Sequence, residues 1–376
     1  MFLGVAMTEV LTRGLGMRSF TLSRNREADA LVRQVVTELG REVSGWASEF
    51  GLAALVLGGG YGRGEGGAVV TPGQPVSLYN DMDFFVFTRN AGRRRRRRLD
   101  SRLGPLAESW SNRLGIDMDI APAREVSRLP GLPTTLMYQE LRRGHCYVFA
   151  VEDVVEKIPL VPPSALPILE GMRLHMNRGS GLLQASQLLA GAGPTGPEER
   201  DFVWRNLHKC ALGCGDALLI AAGQYDFDLS IRRRRLPAVA ERLGDSTASR
   251  SLCECYEAAV AFKAHPSRDV AGDASGLAAC LRTLWRQVLT ACLACRVPKA
   301  ESLDLLGQLA SAEMRGGVWW KNYLLNVVYG LVGVGGAGCA MPPQYWLLVR
   351  LDRLFAGETA NPQEVVHFLT LWKRFN

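Results

Sequence analysis

Residues 52–88 decide the fold of this chain and read LAALVLGGGYGRGEGGAVVTPGQPVSLYNDMDFFVFT. The stretch begins with six apolar residues, 52–57, which predict a buried strand. A cluster of glycines follows between positions 58 and 67, and a connection rich in Pro and Gly leads to a second predicted strand at 83–88. The order is therefore strand, glycine turn and strand.

Two aspartates, Asp81 and Asp83, stand at the entrance of the second strand. Residues two apart on a strand point to the same face, so both carboxylates are expected at one spot. Two like charges held so close are costly unless a cation lies between them. The pattern predicts a magnesium site, because hard cations prefer carboxylate oxygen.

The glycine turn is predicted to bind the phosphates of a nucleotide. Without side chains, its backbone N–H groups can approach an anion closely, and an arginine in the turn can clamp it. The predicted phosphate-binding residues are Gly59, Gly60, Gly62, Arg63 and Gly64. A dinucleotide fingerprint is excluded by Pro72 and Pro75, where its helix must begin, and no Gly-Lys-Ser/Thr follows to make a P-loop.

A third acidic position is predicted on a further strand, in the segment GIDMDI at 115–120. Its alternation of apolar and acidic residues is typical of a strand with one face on the core. Asp117 and Asp119 share the other face. Asp119 is favoured as the third carboxylate because it lies at the strand's end, just before Ala121-Pro122, but Asp117 remains open.

The string Gly59-Gly60-Tyr61-Gly62-Arg63-Gly64-Glu65, followed by Asn80-Asp81-Met82-Asp83, resembles the signature of the nucleotidyltransferase superfamily that includes DNA polymerase beta. The first string is most similar to bacterial uridylyltransferases that modify nitrogen-signalling proteins. The resemblance covers roughly residues 50–122. It implies two Mg²⁺ ions, or Mn²⁺ instead, held by Asp81, Asp83 and Asp119. Where the superfamily often has a serine, this chain has Gly60, so backbone amides must contact the phosphate.

The resemblance implies an enzyme that moves a nucleoside monophosphate from a triphosphate, ATP among the candidates, to a hydroxyl group and releases pyrophosphate. The acceptor is expected to be a small molecule or a protein. Two alternatives stay open. One is an RNA-binding or RNA-terminal nucleotide-adding protein, and the other is a non-catalytic scaffold that binds a nucleotide.

The net charge of +7 and the isoelectric point of about 9.0 favour anionic partners. Much of the excess comes from two arginine runs, at 93–98 and 232–235. A solvated helix turn and a basic surface for RNA are both consistent with the first run.

The predicted fold class is α+β, with a small mixed-sheet nucleotidyltransferase core followed by an α-helical bundle. A rigid Pro-rich linker at 158–163 separates a catalytic domain, 1–160, from a helical domain, 161–376. The order resembles the kanamycin nucleotidyltransferase, which also carries a helical domain. Within the helical part, Lys209 and Asp216 lie seven residues apart on one helix face. Lys209 is a candidate nucleotide-binding residue, and a structural ion pair is the alternative.

A cytoplasmic protein that does not enter the membrane is expected. Most of the nine cysteines lie in apolar, helix-like segments, which indicates free thiols in a reducing compartment. The first residues lack the apolar core of a signal peptide, and the most apolar stretch, 323–341, is interrupted by glycines.

Overall fold

The computed structural model describes residues 18–191, 193–295, 319–331, 342–357 and 361–375. The chain forms two compact units. The first consists of Met1–Pro162 and Val260–Ser267, and the second of Pro163–Ala259 and Arg268–Asn376. The return of residues 260–267 to the first unit is not foreseen in the sequence. A helix predicted at 301–313 and the N-terminal residues 1–17 lie outside the described residues.

The first unit contains a small mixed sheet, as the sequence predicts. Its described strands are β1 (Leu52–Leu57), β2 (Ala68–Val69), β3 (Ser77–Leu78), β4 (Met82–Thr88), β5 (Met118–Ile120), β6 (Arg124–Glu125) and β7 (Cys146–Ala150). The main sheet has the order β5-β4-β1-β7, and β6 also pairs with β4. β1 is antiparallel to β4 and β7, whereas β4 and β5 are parallel. β2 and β3 form a separate two-stranded sheet.

The central strand β1 is buried along its whole length, because both faces of the sheet are covered. Leu55 and Leu57 belong to one hydrophobic cluster together with Val35 and Val36 of the first helix. Ala54 and other β1 residues belong to a second cluster on the opposite face. A continuous apolar run, rather than an alternating one, is what such a doubly covered strand requires.

The helices of the first unit differ from the sequence prediction in two places. They are α1 (Arg26–Ser44), α2 (Ala47–Phe50), α3 (Gly59–Arg63), α4 (Arg93–Leu114) and α5 (Leu136–Arg143). The helical spacing of apolar residues at 25–50 predicts a single amphipathic helix, but α1 ends at Ser44 and α2 follows as a separate helix. The proline at position 105 predicts a bend or an interruption of a helix, but α4 continues through Pro105 without interruption. It ends at Gly115, whose φ of 67° is the left-handed conformation of a helix C-terminus.

The second unit is helical throughout its described residues. Its α-helices are α6 (Ile168–Ala190), α7 (Pro197–Ala221), α8 (Leu229–Ala240), α9 (Ser246–Ala264, whose last turn belongs to the first unit), α10 (Ala274–Ala294), α11 (Trp319–Val328), α12 (Pro343–Ala356) and α13 (Pro362–Phe375). A search of the described helices finds none with the length and apolar character needed to cross a bilayer.

α6 is one continuous helix, and it includes two glycines, Gly179 and Gly181. A Cβ atom on Gly179 would lie 2.5 Å from Trp285 Nε1, and one on Gly181 would lie 2.3 Å from Asn206 Oδ1. These glycines therefore allow close packing against neighbouring helices. The local preference of glycine for turns is overridden by tertiary contacts.

Candidate functional site

The predicted aspartates lie on neighbouring strands of the main sheet. Asp83 of β4 is the register partner of Asp119 of β5. Asp81 comes two residues before Asp83, and the carbonyl of Asp117 accepts a hydrogen bond of 2.9 Å from the Met82 amide. Asp81 and Asp83 are half-buried, whereas Asp117 and Asp119 on the edge strand are exposed. The sheet thus brings all four residues to one end of the β4–β5 pair.

The glycine cluster packs directly against Asp83. Gly59 has a φ of 58°, and a Cβ atom added there would lie 1.8 Å from Asp83 Oδ2. The Gly58 amide donates a hydrogen bond of 2.8 Å to the Asp83 carbonyl. Only glycine combines this left-handed backbone with so close an approach to a carboxylate. The contact of strand, glycine and aspartate therefore explains why a glycine stands at position 59.

The predicted glycine turn is a short helix, α3, which ends at Gly64 with a φ of 77°. This corrects the expectation of a loop. A Cβ atom on Gly62 would lie 2.7 Å from the Leu57 carbonyl oxygen, so α3 sits tightly on the end of β1. The first N–H groups of a helix have no partner within it. Those of Gly59 and Gly60 belong to this first turn.

The Tyr61 side chain connects α3 to the segment that leads into β4. Its side chain is fully buried, and its hydroxyl donates to the Gly67 carbonyl at 2.8 Å. The same oxygen accepts hydrogen bonds from the backbone amides of Tyr79, at 3.1 Å, and Asn80, at 3.3 Å. Burial raises the pKa of Tyr61 to about 12. The hydroxyl therefore stays protonated and holds the residues just before Asp81.

Arg63, the predicted phosphate clamp, takes part in a network of four charged side chains. Its guanidinium lies 2.8 Å from Glu140 Oε2 and 3.5 Å from Glu65 Oε2. Lys263 Nζ reaches the same Glu65 oxygen at 2.6 Å. All four side chains are less than one-fifth exposed. These ion pairs explain an arginine at position 63 by themselves, and its phosphate contact stays a prediction.

Several residues that hold this site are not found by sequence reasoning. Glu65 belongs to the quoted motif but has no predicted role, and Glu140 and Lys263 stand far from it in the chain. Arg18 donates hydrogen bonds to the carbonyls of Gly62 and His145, and burial lowers the pKa of its guanidinium. No local pattern marks such residues, because their partners come from distant segments.

The carboxylate oxygens of the aspartates are donors that Mg²⁺ accepts, but they do not form a cage of three carboxylates, and the binding of Mg²⁺ stays a prediction. Among the residues that the structure describes, no group of three or more His, Cys, Asp or Glu side chains is placed to hold a metal ion. Mg²⁺ is usually bound by one or two carboxylates together with substrate phosphates. Asp83 on β4 and Asp119 on β5 are register partners, and each carries one such carboxylate.

The candidates of the second unit are mostly structural. Asp216 is buried, accepts from Arg232 at 2.6 Å and from the Tyr256 hydroxyl at 2.8 Å, and so forms an internal ion pair. Lys209 is half-buried on the same helix, α7, and its part in nucleotide binding stays a prediction. In the second arginine run, Arg233 pairs with Glu257.

The chain matches no protein-family model, no curated protein and no solved structure. The likeness of its motifs to the nucleotidyltransferase superfamily therefore stays a prediction that depends on the residues themselves.

Proposed function

We propose that the first unit is a metal-dependent nucleotidyltransferase core. It transfers a nucleoside monophosphate from a nucleoside triphosphate to a hydroxyl acceptor and releases pyrophosphate. The observation that carries the proposal is the register pair Asp83 and Asp119, with Gly59 packed on the Asp83 carboxylate. Two carboxylates on adjacent strands repel each other, and a cation shared with a phosphate ligand would offset this repulsion.

In the proposed site, the register partners Asp83 and Asp119 would hold magnesium together with the phosphates of the triphosphate. When bound, the metal would stabilise negative charge on the reacting phosphate oxygens. The backbone N–H groups of Gly59 and Gly60 would donate to the phosphates. Because α3 is tied to β1 and β4 by close packing and by Tyr61, these donors keep a fixed position relative to Asp83.

The exposed edge strand β5 suits the acceptor side of the reaction. There Asp119, or Asp117, would accept the proton of the acceptor hydroxyl. The acceptor oxygen forms a bond to the α-phosphorus as the bond from that phosphorus to the bridging oxygen breaks. Pyrophosphate then carries away the electron pair of the broken bond.

The test measures pyrophosphate release and label transfer from each α-labelled triphosphate with Mg²⁺ and a cell extract as the source of acceptor. We expect D83N to lower the rate at least about a hundredfold, because several kcal/mol of charge stabilisation are lost. The control is E108Q, which neutralises an exposed carboxylate of α4 in the same unit. Transfer that is equal in D83N and E108Q would disprove the proposal.

The same assay separates the two candidates for the third carboxylate. The more damaging of D117N and D119N identifies the third carboxylate, and a loss of about a hundredfold to ten-thousandfold is expected for it. Circular dichroism of each variant shows whether the fold is intact.

A further inference from the structure

The six arginines at 93–98 fall into two groups in the structure. Three have structural partners. Arg95 donates to the Ser48 carbonyl at 2.9 Å, Arg96 lies 3.3 Å from Glu125 Oε2, and Arg98 lies 3.0 Å from Glu49 Oε1. These contacts connect the start of α4 to α2 and to β6. The run is therefore more than a solvated turn.

The other three, Arg93, Arg94 and Arg97, are exposed, and none of their side chains has an ion pair or hydrogen bond within the described part of the chain. At 3.6 residues per turn they lie within a sector of roughly 100° on one side of α4. They also stand at the N-terminus of a 22-residue helix. Positive charge there opposes the helix dipole. The contacts of the described residues therefore do not explain why arginine stands at these three positions.

The positive face continues along the helix. Arg98 and Arg102 are both exposed and share a single carboxylate, Glu49, at 3.0 and 3.3 Å. Exposed ion pairs of this kind contribute little to stability, so a phosphate can replace the carboxylate at small cost. Five exposed arginines lie between Arg93 and Arg102, a length of about 14 Å, and only two of them pair with a carboxylate, that of Glu49. We call these five residues, which are Arg93, Arg94, Arg97, Arg98 and Arg102, the arginine face.

A groove of about 380 Å³ lies beside the arginine face, between α1 and α4. The half-buried Trp46 ring lines it with the Arg102 guanidinium 4.3 Å from its centroid, and the Arg113 guanidinium lies 4.5 Å from the centroid of the buried Trp110 ring. The acidic residues at this groove are Glu42 in its lining and Glu38, which pairs with Arg113 at 2.8 Å. Unpaired bases stack on aromatic rings and on guanidinium planes. The groove therefore offers stacking surfaces in line with a row of positive charge.

We propose that the arginine face and this groove bind a single-stranded polynucleotide. Arg93, Arg94 and Arg97 contact its phosphates, and bases stack in the groove on the Arg102–Trp46 pair and on the exposed guanidinium of Arg113. A lipid surface fits less well, because a membrane-binding helix needs exposed apolar side chains beside its charges. Among the described residues, the exposed large apolar side chains include none from α1, α2 or α4.

The experiment measures fluorescence anisotropy of the full chain with labelled 12-nucleotide single strands of RNA and of DNA. The test variant replaces Arg93, Arg94 and Arg97 by Gln. We expect its affinity at 0.1 M salt to fall roughly tenfold or more, and the slope of log K against log salt to decrease by about 2, which is 0.7 for each of three lost phosphate contacts. The melting temperature should stay the same or rise, because these side chains have no structural partner.

The matched control removes the same net charge elsewhere. It replaces three scattered, exposed arginines, Arg128, Arg200 and Arg234, by Gln. Binding of either strand that is lost in the test variant and kept in the control supports the proposal. Equal loss in both variants shows general charge attraction and overturns it. The proposal is also overturned by no binding to either strand, by equally tight binding of anionic vesicles or polyglutamate, or by a large fall in the test variant's melting temperature.

Discussion

At the scale of single residues, Gly59 is the position of the candidate site that least tolerates a side chain. It combines a φ of 58° with a hypothetical Cβ contact of 1.8 Å to Asp83 Oδ2. We predict that Gly59→Ala destabilises the protein by about 2–4 kcal/mol, from the left-handed backbone and the displaced carboxylate together. Transfer activity should be lost even where the variant is still folded, because Asp83 must move. Urea denaturation and the transfer assay measure the two effects.

Gly73 is the matched control for this prediction. Its φ is 77°, yet a Cβ atom added there would have no atom within 4 Å. Gly73→Ala should therefore cost only the backbone strain, about 1–2 kcal/mol, and leave transfer unchanged. Equal effects of the two substitutions on transfer would show that the contact between Gly59 and Asp83 has no role in the site.

At the scale of helices and strands, the sequence predicts most of what depends on local pattern. The apolar run of β1 and the alternation that ends in Asp119 mark strands correctly because burial on a sheet face repeats with period two. The same local reasoning fails where distant contacts decide. Glycine weakens a helix locally, but Gly179 in α6 allows close packing against Trp285. Pro105 predicts a bend or an interruption of α4, and the helix continues through it without interruption.

In the candidate site, too, local pattern predicts some residues, whereas distant contacts decide the others. Asp83 and Asp119 can be assigned to two separate strands from spacing and pattern, and the structure shows that these strands are neighbours and that the two residues are register partners. Glu65 and Lys263 cannot be paired in this way, since 198 residues separate them along the chain. Sequence therefore predicts the residues that carry the proposed chemistry better than those that hold them in place.

The contact between α6 and α10 predicts a pH dependence of stability. His175 is fully buried, stacks on Trp285 with ring centroids 4.5 Å apart and shares a hydrogen bond of 2.9 Å with the Trp285 carbonyl. Burial lowers its pKa to about 4. Between pH 6.5 and 4, His175 therefore binds a proton in the unfolded chain but stays neutral in the folded chain. Stability should be full above pH 6.5 and fall by on the order of 3 kcal/mol as the pH decreases to 4.

Urea denaturation from pH 4 to 8 measures this dependence. His175→Gln should flatten the curve, although part of the slope remains because burial also lowers the pKa of His208, to about 4. His367→Gln, at an exposed position of α13, should show the same dependence of the free energy of unfolding on pH as the original protein. A slope that is the same in all three proteins would exclude His175 as its source.

At the scale of the whole molecule, the first unit is built from two separate parts of the chain. Val260–Ser267 belongs to it, although the residues on either side of this segment belong to the second unit. Lys263 enters the buried charge network at Glu65, and the Phe262 ring meets Tyr79 edge to face at 5.8 Å. The candidate site therefore depends on a segment that comes almost 100 residues after the Pro-rich linker, roughly the length of a small domain.

We predict that a fragment of residues 1–162 is at least about 2 kcal/mol less stable than the same fragment joined by a flexible Gly/Ser linker to residues 246–267. Without Lys263, the carboxylate of Glu65 keeps its buried position but loses its closest cation, and removal of one partner from a buried ion pair is strongly destabilising. Urea denaturation of both proteins measures the difference. A second fusion that carries Lys263→Met separates the charge from the rest of the segment and should recover only the part that comes from Phe262 and its neighbours. If the fragment alone is as stable as the complete fusion, residues 260–267 are not an integral part of the first unit.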